Sequence, residues 1–286
     1  MYGTFNGWYM KCQSNKQTLA VIPAVHSNGK RQTCSIQIIT EDGAWTVSFP
    51  GEAFHKIGQN ISIGKNRFSK NGIRLSIRES GLRVKGKLDF GPLTPLQYDI
   101  MGPFALVPFM ECRHSVWSMR HAVSGTMYIN GKIYSFRNVR GYWEGDRGKS
   151  FPNKYVWTQC FFPGGSLMLS VAEIPMINFQ FRGVLCIVLW QGREYRLATY
   201  LGAKAVRIQN GIIRITQGDM ELEARLLKKG TPQGNARPLR APTMGDMVRT
   251  IHESAACRAF YRFRKGEKTL FAFHTDRASF EYEYPQ

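Results

Sequence analysis

Apolar side chains recur at every second position through much of this chain. In the stretch Asn71–Gly91, Ile73, Leu75 and Ile77 alternate with Arg74, Ser76 and Arg78. After Ser80-Gly81, Leu82, Val84 and Leu88 alternate with Arg83, Lys85 and Lys87. A period of two predicts strands with one face on a core and one basic face in water. Asp42-Gly43, Asn130-Gly131, Gln191-Gly192 and Asn210-Gly211 separate such runs. Asn-Gly and Asp-Gly suit the positive φ of tight hairpins, and Thr126–Phe136 is the plainest hairpin.

The pattern predicts an N-terminal meander with strands at Trp8–Cys12, Thr18–Val25, Ser35–Thr40, Trp45–Phe49, Asn60–Phe68, Gly72–Ile77 and Leu82–Phe90. Prolines cluster between Pro92 and Pro108, which suggests a border between one domain at 1–100 and another at 101–286. Strands resume at Ser115–Met119, Met127–Asn130, Lys132–Phe136, Val156–Phe162 and Leu167–Ala172. Further runs follow to Thr269–Thr275, interrupted by an irregular basic segment, Lys228–Met247. Met247, Ile251 and Ala255 share a face at helical spacing, so a short helix is expected over Met244–Ala256. No βαβ rhythm is present, and the fold class expected is all-β, built from barrels or sandwiches.

With 286 residues the chain is long enough for two such domains. Thirty-nine Lys and Arg against twenty Asp and Glu give a net charge of +19, which favours an anionic partner. Nucleic acid fits poorly, because the clearest basic faces, Arg74–Arg78 and Arg83–Lys87, carry no aromatics for bases to stack on. No secretory leader is expected at the start, and the longest apolar run, Gly183–Trp190, is too short for a membrane span. The six cysteines are scattered without metal-ligand spacing, so reduced thiols, a cytoplasmic location and no metal or cofactor are expected.

Phosphate-loop and GxSxG motifs are absent, and Ser118 or Ser124 beside His121 makes a poor hydrolase triad. Two regions put ionisable groups among apolar ones: Glu111, Arg113, His114 and Trp117 within Pro103–Met119, and Tyr142, Trp143, Glu144, Asp146 and Arg147 within Gly141–Cys160. A carboxyl against aromatic walls resists ionisation and can donate a proton. Trp and Tyr faces stabilise a developing carbocation. Equally, Glu144 or Asp146 could pair with Arg147 or Lys149 and only fix a bent loop.

Gly141–Cys160 resembles the tocopherol cyclase family, whose pattern there runs Tyr-x-Glu-Lys-x-Trp-Gly, then Phe-Pro, then Trp-x-Gln. Tyr142, Glu144, Gly148, Phe151, Pro152, Trp157 and Gln159 match, while Gly145 and Arg147 stand where the pattern has Lys and Trp. Glu111 and His114 are one residue further apart than in plant-type members. Arg196–Lys204 and Pro238–Ser254 are similar to later landmarks of that family. The resemblance implies two lipocalin-like β-barrel domains, akin to carotenoid hydratases. It also implies acid-catalysed protonation of an alkene in a prenylated quinol, followed by ring closure or hydration. On this reading Glu144, Asp146, Glu111 and His114 carry the chemistry, while Tyr142, Trp143, Arg147, Trp157, Gln159 and Trp117 hold the substrate. The expected partner is a hydrophobic isoprenoid drawn from an anionic leaflet, with the protein peripheral to the inner face of the membrane. The competing reading is a carrier of a hydrophobic ligand without catalysis.

Overall fold

The computed structural model describes residues 3–107, 110–175, 180–227 and 236–284. Eleven strands form one antiparallel sheet. They are β1 (Thr4–Gln13), β2 (Thr18–Ser27), β3 (Gln32–Thr40), β4 (Ala44–Pro50), β5 (Phe54–Ile57), β6 (Asn60–Ile63), β7 (Asn66–Ser69), β8 (Gly72–Glu79), β9 (Leu82–Phe90), β10 (Cys112–Ile129) and β11 (Lys132–Gly148). Their spatial order is β4-β3-β2-β1-β11-β10-β9-β8-β7-β6-β5. The second sheet holds β12 (Tyr155–Phe162), β13 (Gly165–Pro175), β14 (Gln180–Trp190), β15 (Arg193–Ala198), β16 (Lys204–Gln209), β17 (Ile212–Gln217), β18 (Met220–Leu226), β20 (Asp246–Lys265) and β21 (Lys268–Tyr282). Strand β19 (Arg237–Thr243) pairs with β20. Two large antiparallel sheets make this an all-β, lipocalin-like barrel or sandwich fold, as expected.

The chain divides into two compact units. The first comprises Met1–Leu96, Met110–Phe151 and Leu239–Thr250; the second comprises Gln97–Phe109, Pro152–Pro238 and Ile251–Gln286. The division follows strand pairing rather than chain order. Strands β10 and β11 join β9 and β1, so residues 110–151 fall in the first unit, whereas the proline cluster had suggested a border at residue 100. Each unit has its own core. Trp8, Met10, Cys12, Phe68, Tyr134, Phe136 and Trp143 anchor the first; Phe162, Val171, Ile215, Tyr261 and Phe263 belong to the second. Burying one such side chain contributes roughly 1.5–3 kcal/mol.

The hairpins follow their turn residues. Asn130 and Gly131 take φ of 49° and 85°, Gln191 and Gly192 take 50° and 75°, and Asn210 and Gly211 take 53° and 73°. Both central residues at positive φ give the turn whose twist matches paired strands. Three expectations differ from what forms. Asn60–Phe68 is two strands, β6 and β7, split at Gly64, whose φ is 57°. Ser115–Met119 and Met127–Ile129 are parts of the single strand β10, and Asn130 is in the turn that follows it. The helix expected over Met244–Ala256 is instead a turn at Met244-Gly245 and the first half of β20. Met247, Ile251 and Ala255 lie four apart, which keeps one face of a strand as well as one face of a helix. Of the irregular basic segment and the proline cluster, residues 228–235 and Pro108 lie outside the described residues; from Arg237 the chain is strand.

The consequential difference is β11. Instead of ending near Phe136 it runs seventeen residues to Gly148, so the aromatic and charged stretch at 141–148 is strand, not loop. Gly145 sits where β11 is squeezed: a Cβ there would lie 2.3 Å from the Gly7 carbonyl oxygen and 2.8 Å from the Trp117 ring. Gly145→Ala is expected to lower unfolding free energy in urea by about 1–3 kcal/mol, the usual penalty for overpacking.

Candidate active site on the first sheet

Because side chains alternate along a strand, β11 sends Trp143 one way and Tyr142, Glu144 and Asp146 the other. Trp143 enters the first core, 1% exposed, with Trp117 tilted against it at 5.3 Å between ring centroids. Trp143, expected with Trp157 as the aromatic wall beside Glu144, therefore lies on the opposite face of β11 from it. Across the sheet, Tyr9 of β1 lies opposite Glu144, Lys11 opposite Tyr142, and Gly7 opposite Asp146. On the other side, His114 of β10 lies opposite Asp146, and Val116 opposite Glu144.

These neighbours form a connected polar cluster. The His114 Nδ1–H donates to Asp146 Oδ1 at 2.9 Å. Its Nε2 approaches Glu144 Oε2 at 3.1 Å, a charge contact whose direction falls short of a well-aligned hydrogen bond. The Tyr142 hydroxyl donates to the same Glu144 oxygen. Glu144 is 4% exposed, His114 8%, and Tyr142 and Lys11 wholly buried.

Burial opposes a charge on His114, but Asp146 and Glu144 together outweigh it and hold the imidazole well above its ordinary value. On the sequence a neutral acid is expected at Glu144 against aromatic walls; in the structure its carboxyl meets the Tyr142 hydroxyl and the His114 Nε2. Burial, with Glu144 beside it, pushes the Tyr142 phenol well up, so it stays a donor. The Cys112 thiol, half-buried beside Asp146, is likewise pushed up and inert as a nucleophile.

The remaining expected site residues are placed differently. Glu111 is exposed, and its backbone carbonyl accepts from the Lys149 and Ser150 amides. Arg147 is exposed, opposite Arg113 and Asn6. The ion contacts of Glu144 and Asp146 described above run to His114, not to Arg147 or Lys149. Trp157 and Gln159 belong to the second unit, where Trp157 lies opposite Glu281 and Gln159 opposite Ser279. That unit has its own buried acids: the Tyr155 hydroxyl donates to Glu281 Oε2 at 2.5 Å, and Glu253 faces Glu281 across β20 and β21. Ser118 and His121 do hydrogen-bond at 3.0 Å, but burial lowers His121 to about 4 and Ser118 accepts the Thr94 amide, which is a structural role.

Sequence reasoning missed Tyr9 and Lys11. The signal was a lysine inside the otherwise apolar run Trp8–Cys12. A cleft of about 830 Å³ opens two register steps away, with Gln13 and Arg140, which pair opposite each other, in its lining beside Lys16, Glu41 and Ile133. Among the described residues no group of His, Cys, Asp and Glu is arranged to hold a metal ion, and no helix is long and apolar enough to cross a membrane.

No protein-family model matches the chain, and no curated protein matches its sequence. Solved structures do match. Kievitone hydratase from Nectria haematococca aligns over 98% of this chain and 88% of its own, with a TM-score of 0.57 and 10% identity. CghA, solved with Sch210972, aligns over the same shares with a TM-score of 0.61 and 8% identity. An AttH-type protein from Nitrosomonas europaea aligns over 100% and 93%, with a TM-score of 0.55 and 9% identity. At such identities the likeness concerns the fold, which is the lipocalin-like architecture already described.

His114 makes stability depend on pH. Its folded value lies above its unfolded one, so its contribution is full below the ordinary histidine value of about 6.5. That contribution is lost as pH rises through the raised folded value. Unfolding free energy should fall across that window in the wild type, and in His114→Gln the fall should disappear. Urea titrations at stepped pH, with the His114 ring followed by NMR, check both.

Proposed function

We propose that the chain is an acid–base enzyme of hydratase or cyclase type acting on a small hydrophobic molecule that carries an alkene, a prenylated quinol being the substrate class favoured. The observation that supports this reading is the buried relay Asp146–His114–Glu144, with Tyr142 fixing the last carboxylate. The fold shared with a hydratase and the Tyr142/Glu144 match to the tocopherol cyclase pattern point the same way.

Each residue has a role in the proposed reaction. His114, held as the imidazolium by Asp146, passes its Nε2 proton to Glu144. The Glu144 carboxyl gives that proton to one alkene carbon, the π bond breaks, and positive charge develops on the more substituted carbon. The faces of Tyr9 and Tyr142 flank that charge. A water molecule, or a hydroxyl of the substrate itself, forms the new C–O bond, and its proton returns through Glu144 to His114. Water gives a hydrated product; an internal hydroxyl gives a ring and an isomer of the substrate.

The test is turnover of prenylated hydroquinones, read by mass spectrometry in ¹⁸O-labelled water. Added labelled water marks hydration, and unchanged mass with a new retention time marks cyclisation. Glu144→Gln and His114→Gln should each lower kcat by roughly 10²- to 10⁴-fold, the span of general acid–base catalysis. Asp146→Asn should move the alkaline limb of the pH–rate profile to lower pH, because His114 loses the carboxylate that raises it. Equal turnover by wild type and Glu144→Gln would overturn the assignment.

A further inference from the structure

The strongest feature outside the acid cluster is the outer face of β7–β10. Ile73, Leu75, Ile77, Leu82, Val84 and Leu88 fill the first core, so the intervening residues must point away from it. Arg67, Arg74, Arg78, Arg83, Lys85 and Lys87 are all exposed there. Register makes the charges direct neighbours. Arg67 lies opposite Arg74, Arg74 opposite Lys87, and Arg78 opposite Arg83. Like charges directly across a ladder repel and destabilise the sheet. Asp89, paired with Lys87 at 2.6 Å, relieves one of them. Beside Lys85 the face changes character: Tyr128 lies opposite Lys85 on one side and Ile133 on the other, and both are half exposed, at 49% and 51%. From β7 to β11 the face is about 19 Å wide at ordinary strand spacing.

We infer that this face docks the protein on an anionic phospholipid bilayer, with Tyr128 and Ile133 entering the headgroup layer. Clustered cations beside a tyrosine and an aliphatic side chain are the chemistry that holds peripheral proteins at such a surface. A single-stranded nucleic acid would instead require several aromatics among the cations, and this face offers one. The docking is independent of the reaction at Glu144, and its test reads no turnover.

The experiment is flotation of the full chain with phosphatidylcholine vesicles, with and without phosphatidylglycerol, at low and high salt. Binding should need the anionic lipid and weaken as salt screens the contact. Each cation near the surface adds about 1 kcal/mol, so the triple variant Arg74→Gln, Arg83→Gln, Lys85→Gln should lose about a hundredfold in partition coefficient. A matched triple on an exposed part of the second unit, Lys204→Gln, Arg207→Gln and Lys268→Gln, should bind as the wild type does. Tyr128→Ser with Ile133→Ser should remove the binding that survives high salt. All these positions are exposed, and circular dichroism checks that each variant folds. Equal loss in both triples would overturn the inference, leaving only net charge. So would vesicle binding indifferent to anionic lipid, or short single-stranded DNA that binds this face and strips the protein from vesicles.

Discussion

A charge taken out of water must find its countercharges within the same few ångströms, and that requirement organises the first sheet. His114 is buried, its imidazole is held well above its ordinary value, and removing an ion from water costs several kcal/mol even after relaxation. Asp146 directly opposite and Glu144 two residues further along β11 offset that cost. The pairing of β10 with β11 must therefore hold its register through this region. The irregularities in that ladder begin only beyond Val116, after the pair is made. Lys11, wholly buried, lies opposite Tyr142 on the same face.

The strand also sorts two kinds of side chain that the sequence presents mixed together. Tyr142, Glu144 and Asp146 share one face because they are two apart, and Trp143 falls to the other. That one strand serves both the core and the polar cluster, which is why Gly145 matters. Its missing side chain lets Trp117 and the β1 backbone close in where the resembling family's pattern has a lysine. The second unit uses a related device with different residues, Tyr155 on β12 reaching Glu281 on β21.

How much of this was legible follows from what each segment had to satisfy. Strands β8 and β9 read plainly because one face is greasy and the other basic. The far half of β11 did not, because both of its faces are buried and neither alternates simply between apolar and polar. Met247, Ile251 and Ala255 misled for a geometric reason, since a spacing of four serves both periods. Glu144, Asp146, His114 and Tyr142 were legible as polar groups in apolar company, and the structure brings these four together. Trp157 and Gln159 were grouped with them by the family resemblance, and they belong to the second unit. Lys11 stood out in its apolar run, but the partnership of Tyr9 and Lys11 with the cluster did not, because the β1–β11 pairing joins the two ends of the first sheet's sequence and no local pattern records it.

The core of the first unit bears on whether the chain carries a ligand or transforms one. A carrier of the lipocalin kind, or an enzyme working inside the barrel, needs an empty interior lined by apolar groups. Here that interior is occupied by Trp8, Met10, Phe68, Tyr134 and Trp143, nearly all without exposure. The buried titratable groups lie on the other face of the same sheet, arranged around one proton. A polar relay costs stability when it only packs, because a well-fitted apolar cluster would serve as well or better. The filled interior therefore weighs against any occupant inside the first barrel, bound or transformed, and a reaction of the proposed kind would have to use the face of the sheet that carries the relay.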